Sequence, residues 1–150
     1  MKLQKATRCA LFAVLELAAA PERQLSATDI AEKYGISANH LAKVLRDLGR
    51  AGLVESVRGA GGGYRFSGNA KRATLYDVVD LFEDIQAENV HHPEPGDATE
   101  IGQTLSALFE EIDDLARATL MSVTIDTLLK LTERRRQRRA QATDEALARK

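Results

Sequence analysis

Apolar residues recur at helical spacing in the first fifty positions, in three separate runs. Residues 6–20, ATRCALFAVLELAAA, carry an almost continuous apolar face and stop before Pro21, which predicts a first helix. LSATDIAEKYG (25–35) opens on Ser26, whose hydroxyl suits an N-cap. Asp29 follows three residues later as a capping-box variant, and Gly35 can end the helix. ISANHLAKVLRDLGRAGLV (36–54) repeats the design, with Ser37 as N-cap and Leu41, Val44, Leu45 and Leu48 in one stripe. Two short helices around a turn at Gly35 and Ile36 predict a helix-turn-helix. The period then changes. GLVESV and GYRFSG have strand character and enclose RGAGG, whose glycines permit a tight hairpin with positive φ. A hairpin placed there is a wing.

The second half returns to helical spacing. Ile101, Leu105, Leu108, Ile112, Leu115 and Thr119 step by four and three, with Glu110, Glu111, Asp113 and Asp114 outside the seam. This predicts a long helix able to pair with a second subunit, so a homodimer is expected. Thr124 suits the N-cap of a shorter final helix. The last residues, RRRQRRAQATDEALARK, have little apolar content and are expected to be a frayed helix end or a disordered basic tail. The fold class expected is mainly α with a small β-hairpin: a winged helix-turn-helix domain (1–85), dimerisation helices (99–133) and the tail (134–150).

Charge sharpens this picture. The 150 residues have a net charge of −1, but residues 1–78 hold 12 Lys/Arg against 7 Asp/Glu. Residues 79–133 hold 2 against 13, and residues 134–150 hold 7 against 2. A basic front half suits a polyanion. With 44% hydrophobic residues the chain can bury a core, yet no run reaches the roughly 18 apolar residues of a membrane span. The first apolar run contains Glu16 and reads as an amphipathic helix, not a signal peptide. One cysteine cannot close an internal disulfide, which suits the cytoplasm.

The candidate chemistry is double-stranded DNA recognition. In a helix-turn-helix the N-terminal part of the second helix reaches base edges in the major groove. The polar residues there are Ser37, Asn39, His40, Lys43 and Arg46. Asn39 can bond adenine bidentately, and Lys43 can reach guanine or phosphate. Lys5 adds a cation on the first helix. On the wing, Arg58 and Arg65 can meet phosphate or the minor groove. Gly61 and Gly62 allow close backbone approach, and Tyr64 can pack at the hairpin base or touch phosphate. A nucleotide phosphate loop is a poorer reading, because GAGGG lacks the GxxxxGK[ST] pattern and no helix follows. No nucleophile–base pair, metalloprotease signature or dinucleotide fingerprint points to an enzyme. The alternative is a winged-helix protein–protein adaptor that binds no DNA.

The start MKLQKATRCALFAVLELA, the block from LSATDIAEKYG to VRGAGGGYRF, and NAKRATLYDVVDLFED resemble the Rrf2 family of bacterial transcription regulators. The resemblance is closest from Met1 to about residue 85. It implies a homodimeric winged-helix protein, expected to repress, on a palindromic operator. It also implies a sensor-type loop at 86–98. Many members hold an iron–sulfur cluster there through three cysteines, whereas others answer to a partner enzyme. This chain departs from the cluster pattern. Ungapped, His91 and Asp97 fall at the first two cysteine places, Gln103 at the third and Ser106 at a histidine place of one subgroup. Some members draw a further ligand from helix one of the partner, near Arg8 here, and Cys9 replaces a usual tyrosine. Clusters usually take four ligands, mostly thiolates. A conventional cluster is therefore not expected. An atypical cluster, another metal or haem on His91, His92, Asp97 and Cys9 stays open, as does an effector metabolite or partner protein. For His91 and His92 the plain alternative is a solvated loop pair, and for Cys9 a small core residue.

Overall fold

Caps set the ends of the short helices in the computed structural model, which describes residues 2–83 and 94–148. The described elements are α1 (Lys5–Ala19), α2 (Ala27–Tyr34), α3 (Ala38–Arg50), β1 (Val54–Val57), β2 (Gly63–Phe66), α4 (Leu75–Val79), α5 (Glu100–Ser122) and α6 (Ile125–Ala148). Ser26 and Asp29 close a full capping box on α2, and Gly35 ends that helix at φ 63°. The Ser37 hydroxyl accepts from the His40 amide at the start of α3. Thr74 and Asp77 form a second capping box on α4, which was not foreseen. Thr99 caps α5, and Thr124 accepts from the Thr127 amide at the start of α6.

One core joins these elements. Ala10, Ala13, Val14 and Leu17 of α1 meet Ile30 of α2 and Leu41, Val44, Leu45 and Leu48 of α3. Small residues on α1 let the helices approach closely, and each fully buried leucine stabilises by roughly 1.5–3 kcal/mol. Leu53, Val54 and Phe66 bring the hairpin into the same core, and Val78 brings α4. Ile125 is fully buried and Leu129 packs beside it, so α6 returns from α5 to close the core against α1. β1 and β2 are antiparallel, with Val54 opposite Phe66 and Glu55 opposite Arg65. Leu25 adds a bridge to Tyr64, its amide donating to the Tyr64 carbonyl (2.9 Å) and its carbonyl accepting in return (2.8 Å). This short third element holds the hairpin against the α1–α2 turn.

The mainly α fold with one hairpin is as expected. The C-terminus differs from expectation. The final helix is not short, and residues 134–148 are its helical continuation, not a disordered tail. Arginine, glutamine and alanine, which dominate there, are good helix formers, so low apolar content did not mean low helicity.

Candidate nucleic-acid interface

The α3 helix separates its residues cleanly by face. Leu41, Val44, Leu45 and Leu48 are buried. Asn39, Lys43, Arg46 and Arg50 are exposed, and at spacings of four, three and four they form a line on the opposite side. Arg50 escaped the sequence reading, although the same spacing could have found it. Its guanidinium lies 3.3 Å from Asp47. Ser37 is exposed at the helix start, where free amides and the positive helix end favour an anion. His40 turns partly inward. It is half-buried, and its Nε2 is enclosed without a hydrogen-bond partner.

The wing follows directly. Arg58 and Gly61 are exposed at its tip. Gly61 takes φ 74°, and a Cβ on Gly62 would lie 2.5 Å from the Val57 carbonyl oxygen. Both glycines are therefore needed to close the loop. Tyr64 is half-buried against the core, and its backbone is engaged with Leu25. Arg65 is exposed but forms an ion pair with Glu55 directly across the hairpin. Lys5 is exposed in the first turn of α1.

Of the candidate sensor residues, Cys9 and Asp97 lie among the described residues. His91 and His92 lie outside the described residues. The Asp97 carboxylate accepts from the Glu94 amide (2.7 Å) in the turn that leads into α5. Gly102 makes that turn possible, because a Cβ there would overlap the Gly96 carbonyl oxygen. Cys9 is buried in the core. Burial pushes its thiol pKa up, against the opposing pull of Lys5 and Arg8. Such a thiol is a poor thiolate source. Among the described residues no three His, Cys, Asp or Glu side chains come together as a metal-sized donor set. The described residues therefore do not fit an iron–sulfur cluster.

Sequence reasoning missed one contact that links the regions. Glu83, where the first described segment ends, accepts from the Gln4 amide (2.7 Å) and from the Thr7 hydroxyl. Gln4 is the N-cap position of α1 and makes no side-chain cap of its own. A carboxylate distant in sequence thus caps α1, and Thr7 is fully buried beneath it. Only the general rule that helix N-termini need acceptors could have hinted at this.

The arrangement matches known regulators. The family model for Rrf2, described as an iron-dependent transcriptional regulator, matches residues 3–131. The chain is 56% identical over 141 residues to a protein of Rhodopseudomonas palustris named as the HTH-type transcriptional regulator BadM, covering 93% of this chain and 89% of that one. CymR (YrzC), named the global cysteine regulator of B. subtilis, superposes with TM-score 0.71 at 28% identity, over 87% of this chain and 98% of its own. IscR of T. potens gives TM-score 0.71 at 25% identity, over 88% of each chain. These relatives are regulators rather than enzymes, and among the described residues no helix is long and apolar enough to cross a membrane. Helix-turn-helix, wing and coverage of nearly the whole chain lead to one assignment: this is a DNA-binding transcriptional regulator of the Rrf2 family.

Proposed function

We propose that the protein is a homodimeric repressor that occupies a palindromic operator and is released or retained by a signal received outside its DNA face. The observation that carries the DNA face is the line of Asn39, Lys43, Arg46 and Arg50 opposite the buried stripe of α3. In this reading Asn39 and Lys43 read base edges. Arg46, Arg50, Lys5 and the Ser37 end of α3 hold phosphates, and Arg58 with Gly61 and Gly62 follows the backbone or minor groove. Arg65 acts only after parting from Glu55, so it contributes less than Arg58.

Dimerisation supplies the second half-site. Ile101, Leu105, Leu108, Ile112 and Leu115 are 74, 47, 50, 50 and 69% exposed on α5 of the protomer. So long an apolar line on a charged helix is what a subunit seam looks like when its partner is removed. Pairing two protomers would present two α3 helices to successive turns of one DNA face.

The signal has a structural route. In this reading the signal is received in the stretch of sequence that joins Glu83, which caps α1, to the Gly96–Gly102 turn, which seats α5. An effector bound there would bear on the Glu83 cap of α1 and on the start of α5 together. A metabolite or a partner protein acting there would change half-site spacing. That one structural neighbour is named a cysteine regulator makes sulfur metabolites reasonable first ligands to screen.

The test is operator binding measured across salt concentrations, with DNA from upstream of the protein's own gene. Affinity is expected to fall steeply with salt. Lys43→Ala with Arg58→Ala should weaken it at least roughly tenfold and reduce the log–log salt slope by about two. Unchanged affinity in that double variant would remove the proposed face. A wild-type protein that binds no DNA at any salt but captures another protein would favour the adaptor reading.

A further inference from the structure

Two groups of opposite charge stand unused in one protomer. Arg134, Arg135, Arg138 and Arg139 lie on the C-terminal half of α6, where every residue from 130 to 148 is exposed. At 100° per residue these four guanidinium groups fall within about 140° of arc. Among the described residues the ion pairs of this helix are Lys130–Asp126 and Arg136–Glu133, neither of which involves the four. Glu110, Glu111, Asp113 and Asp114 lie on α5, within about 160° of arc. The Leu105–Leu108–Ile112–Leu115 seam runs roughly along the opposite side of that helix. Among the described residues the one ion pair of these four carboxylates is Asp114 with Arg117, at 4.0 Å.

The two groups also match in position. Counting from the elbow at 123–124, the carboxylates lie about 14–20 Å along α5, and the arginines about 16–23 Å along α6. A fold-back of α6 on α5 would bring them together. Within the protomer that does not happen: the start of α6 is committed to α1 through Ile125 and Leu129, and its second half is exposed all round. An isolated helical half with so little apolar content gains nothing from its own core and is stabilised only by a partner or by solvent.

We propose that the arginine side of α6 docks on the acidic side of α5 of a second copy of this chain. The dimer would then be held by an apolar seam on one side of α5 and reciprocal charge contacts on the other. DNA is the less fitting occupant, because it would leave the acidic side of α5 unexplained and would duplicate a DNA face already present on α3 and the wing. The arginines also lie beyond residue 131, where the family match ends. Networks of exposed charges are salt-sensitive, so the tail would make dimer strength depend on ionic strength.

This inference rests on the proposed homodimer, and one experiment separates the two. Dimer dissociation of the full chain is measured by sedimentation at low and high salt. Replacing the four arginines by glutamine should weaken the dimer roughly tenfold at low salt and flatten its salt dependence. A pair of charge-reversed chains then tests which molecule supplies the partner. One chain carries Arg138→Glu and Arg139→Glu, and the other carries Glu110→Lys and Glu111→Lys. Each alone sets like charges against each other across the dimer, whereas a mixed dimer restores attraction at both contacts. Preferential formation of the mixed dimer, read by mass spectrometry of differently tagged chains, is the expected result. Statistical mixing with wild-type dimer strength in the glutamine variant would overturn the contact while leaving the dimer intact. The same glutamine variant showing unchanged dimerisation but a lower salt slope on operator DNA would assign the tail to DNA instead. A wild-type chain that sediments as a monomer would overturn the dimer itself.

Discussion

Glu16 shows how a single side chain can tie the helix-turn-helix to its support. Burial alone would raise its carboxyl pKa, but the hydrogen bonds from Lys33 (2.7 Å) and Tyr34 (2.6 Å) outweigh that and hold it below the usual carboxylate range. The same contact and its own burial push the Tyr34 hydroxyl up, and the Tyr34 ring stacks on Phe12 with centroids 4.7 Å apart. A carboxylate whose folded pKa is depressed contributes stability that is complete above its unfolded value, about 4.3. That contribution is lost as pH falls through the lower folded value. Glu16→Gln is therefore expected to flatten the acid limb of the stability curve and to leave its shape above pH 6 unchanged. Lys33 is more than half exposed, so most of the effect at neutral pH comes from Tyr34, and Tyr34→Phe should cost about 0.5–1.5 kcal/mol. Urea midpoints between pH 3 and 7 check both, and an acid limb of unchanged slope in Glu16→Gln would show that the pair carries no pH dependence. None of this was legible in the sequence. Glu16 served there only to argue against a signal peptide, because nothing in a helical pattern tells which exposed residue on one helix meets which on the next.

At the scale of elements, legibility followed the range of the interaction. The caps at Ser26 and Ser37, the left-handed Gly35 and the α3 stripe are local, and each was readable from spacing alone. The Leu25–Tyr64 bridge, the Glu55–Arg65 pair and the Glu83 cap on α1 join residues distant in sequence or facing across strands, and none was foreseen. For the tail, expected as either a helix end or disorder, composition weighed for burial could not choose, whereas helicity there rests on propensity and on continuity with α6. The wing offers the sharpest test at this scale. A methyl group on Gly62 would meet the Val57 carbonyl at 2.5 Å and the Gly59 carbonyl at 3.0 Å, and both obstacles are backbone. The loop can accept alanine only by reopening. Gly62→Ala is expected to cost about 1–3 kcal/mol in thermal unfolding while the α1–α3 core still folds cooperatively. If the wing tip touches DNA as proposed, operator affinity should fall as far as it does in Arg58→Ala, because both changes would remove that contact. Fluorescence anisotropy on the same operator decides it, and full affinity in a destabilised Gly62→Ala protein would mean that the wing does not touch DNA.

The whole molecule is electrically divided: a basic winged half, an acidic middle and a basic end sum almost to neutrality. Under the proposed DNA face, such a division would steer the chain toward DNA by its basic half while the acidic middle repels it. The division also makes a single protomer a weak binder, since one α3 and one wing supply only a few phosphate contacts. In the proposed homodimer two linked protomers would combine both half-sites, and the second would bind as if at high local concentration. The α5 seam is therefore where stability of the fold and strength of function come apart. Leu108 and Ile112 are each half exposed in the protomer, so replacing both with aspartate should change protomer unfolding by no more than about 1 kcal/mol. In the dimer the same carboxylates would be buried without partners, at a cost that no surface ion pair offsets. The double variant is expected to sediment as a folded monomer and to bind the full operator at least roughly a hundredfold more weakly than wild type. Its affinity for an isolated half-site should match that of the wild-type protomer. A double variant that stays dimeric with full operator affinity would place the subunit contact elsewhere, and one that loses half-site binding as well would show that the seam packs within the protomer's own DNA-binding domain.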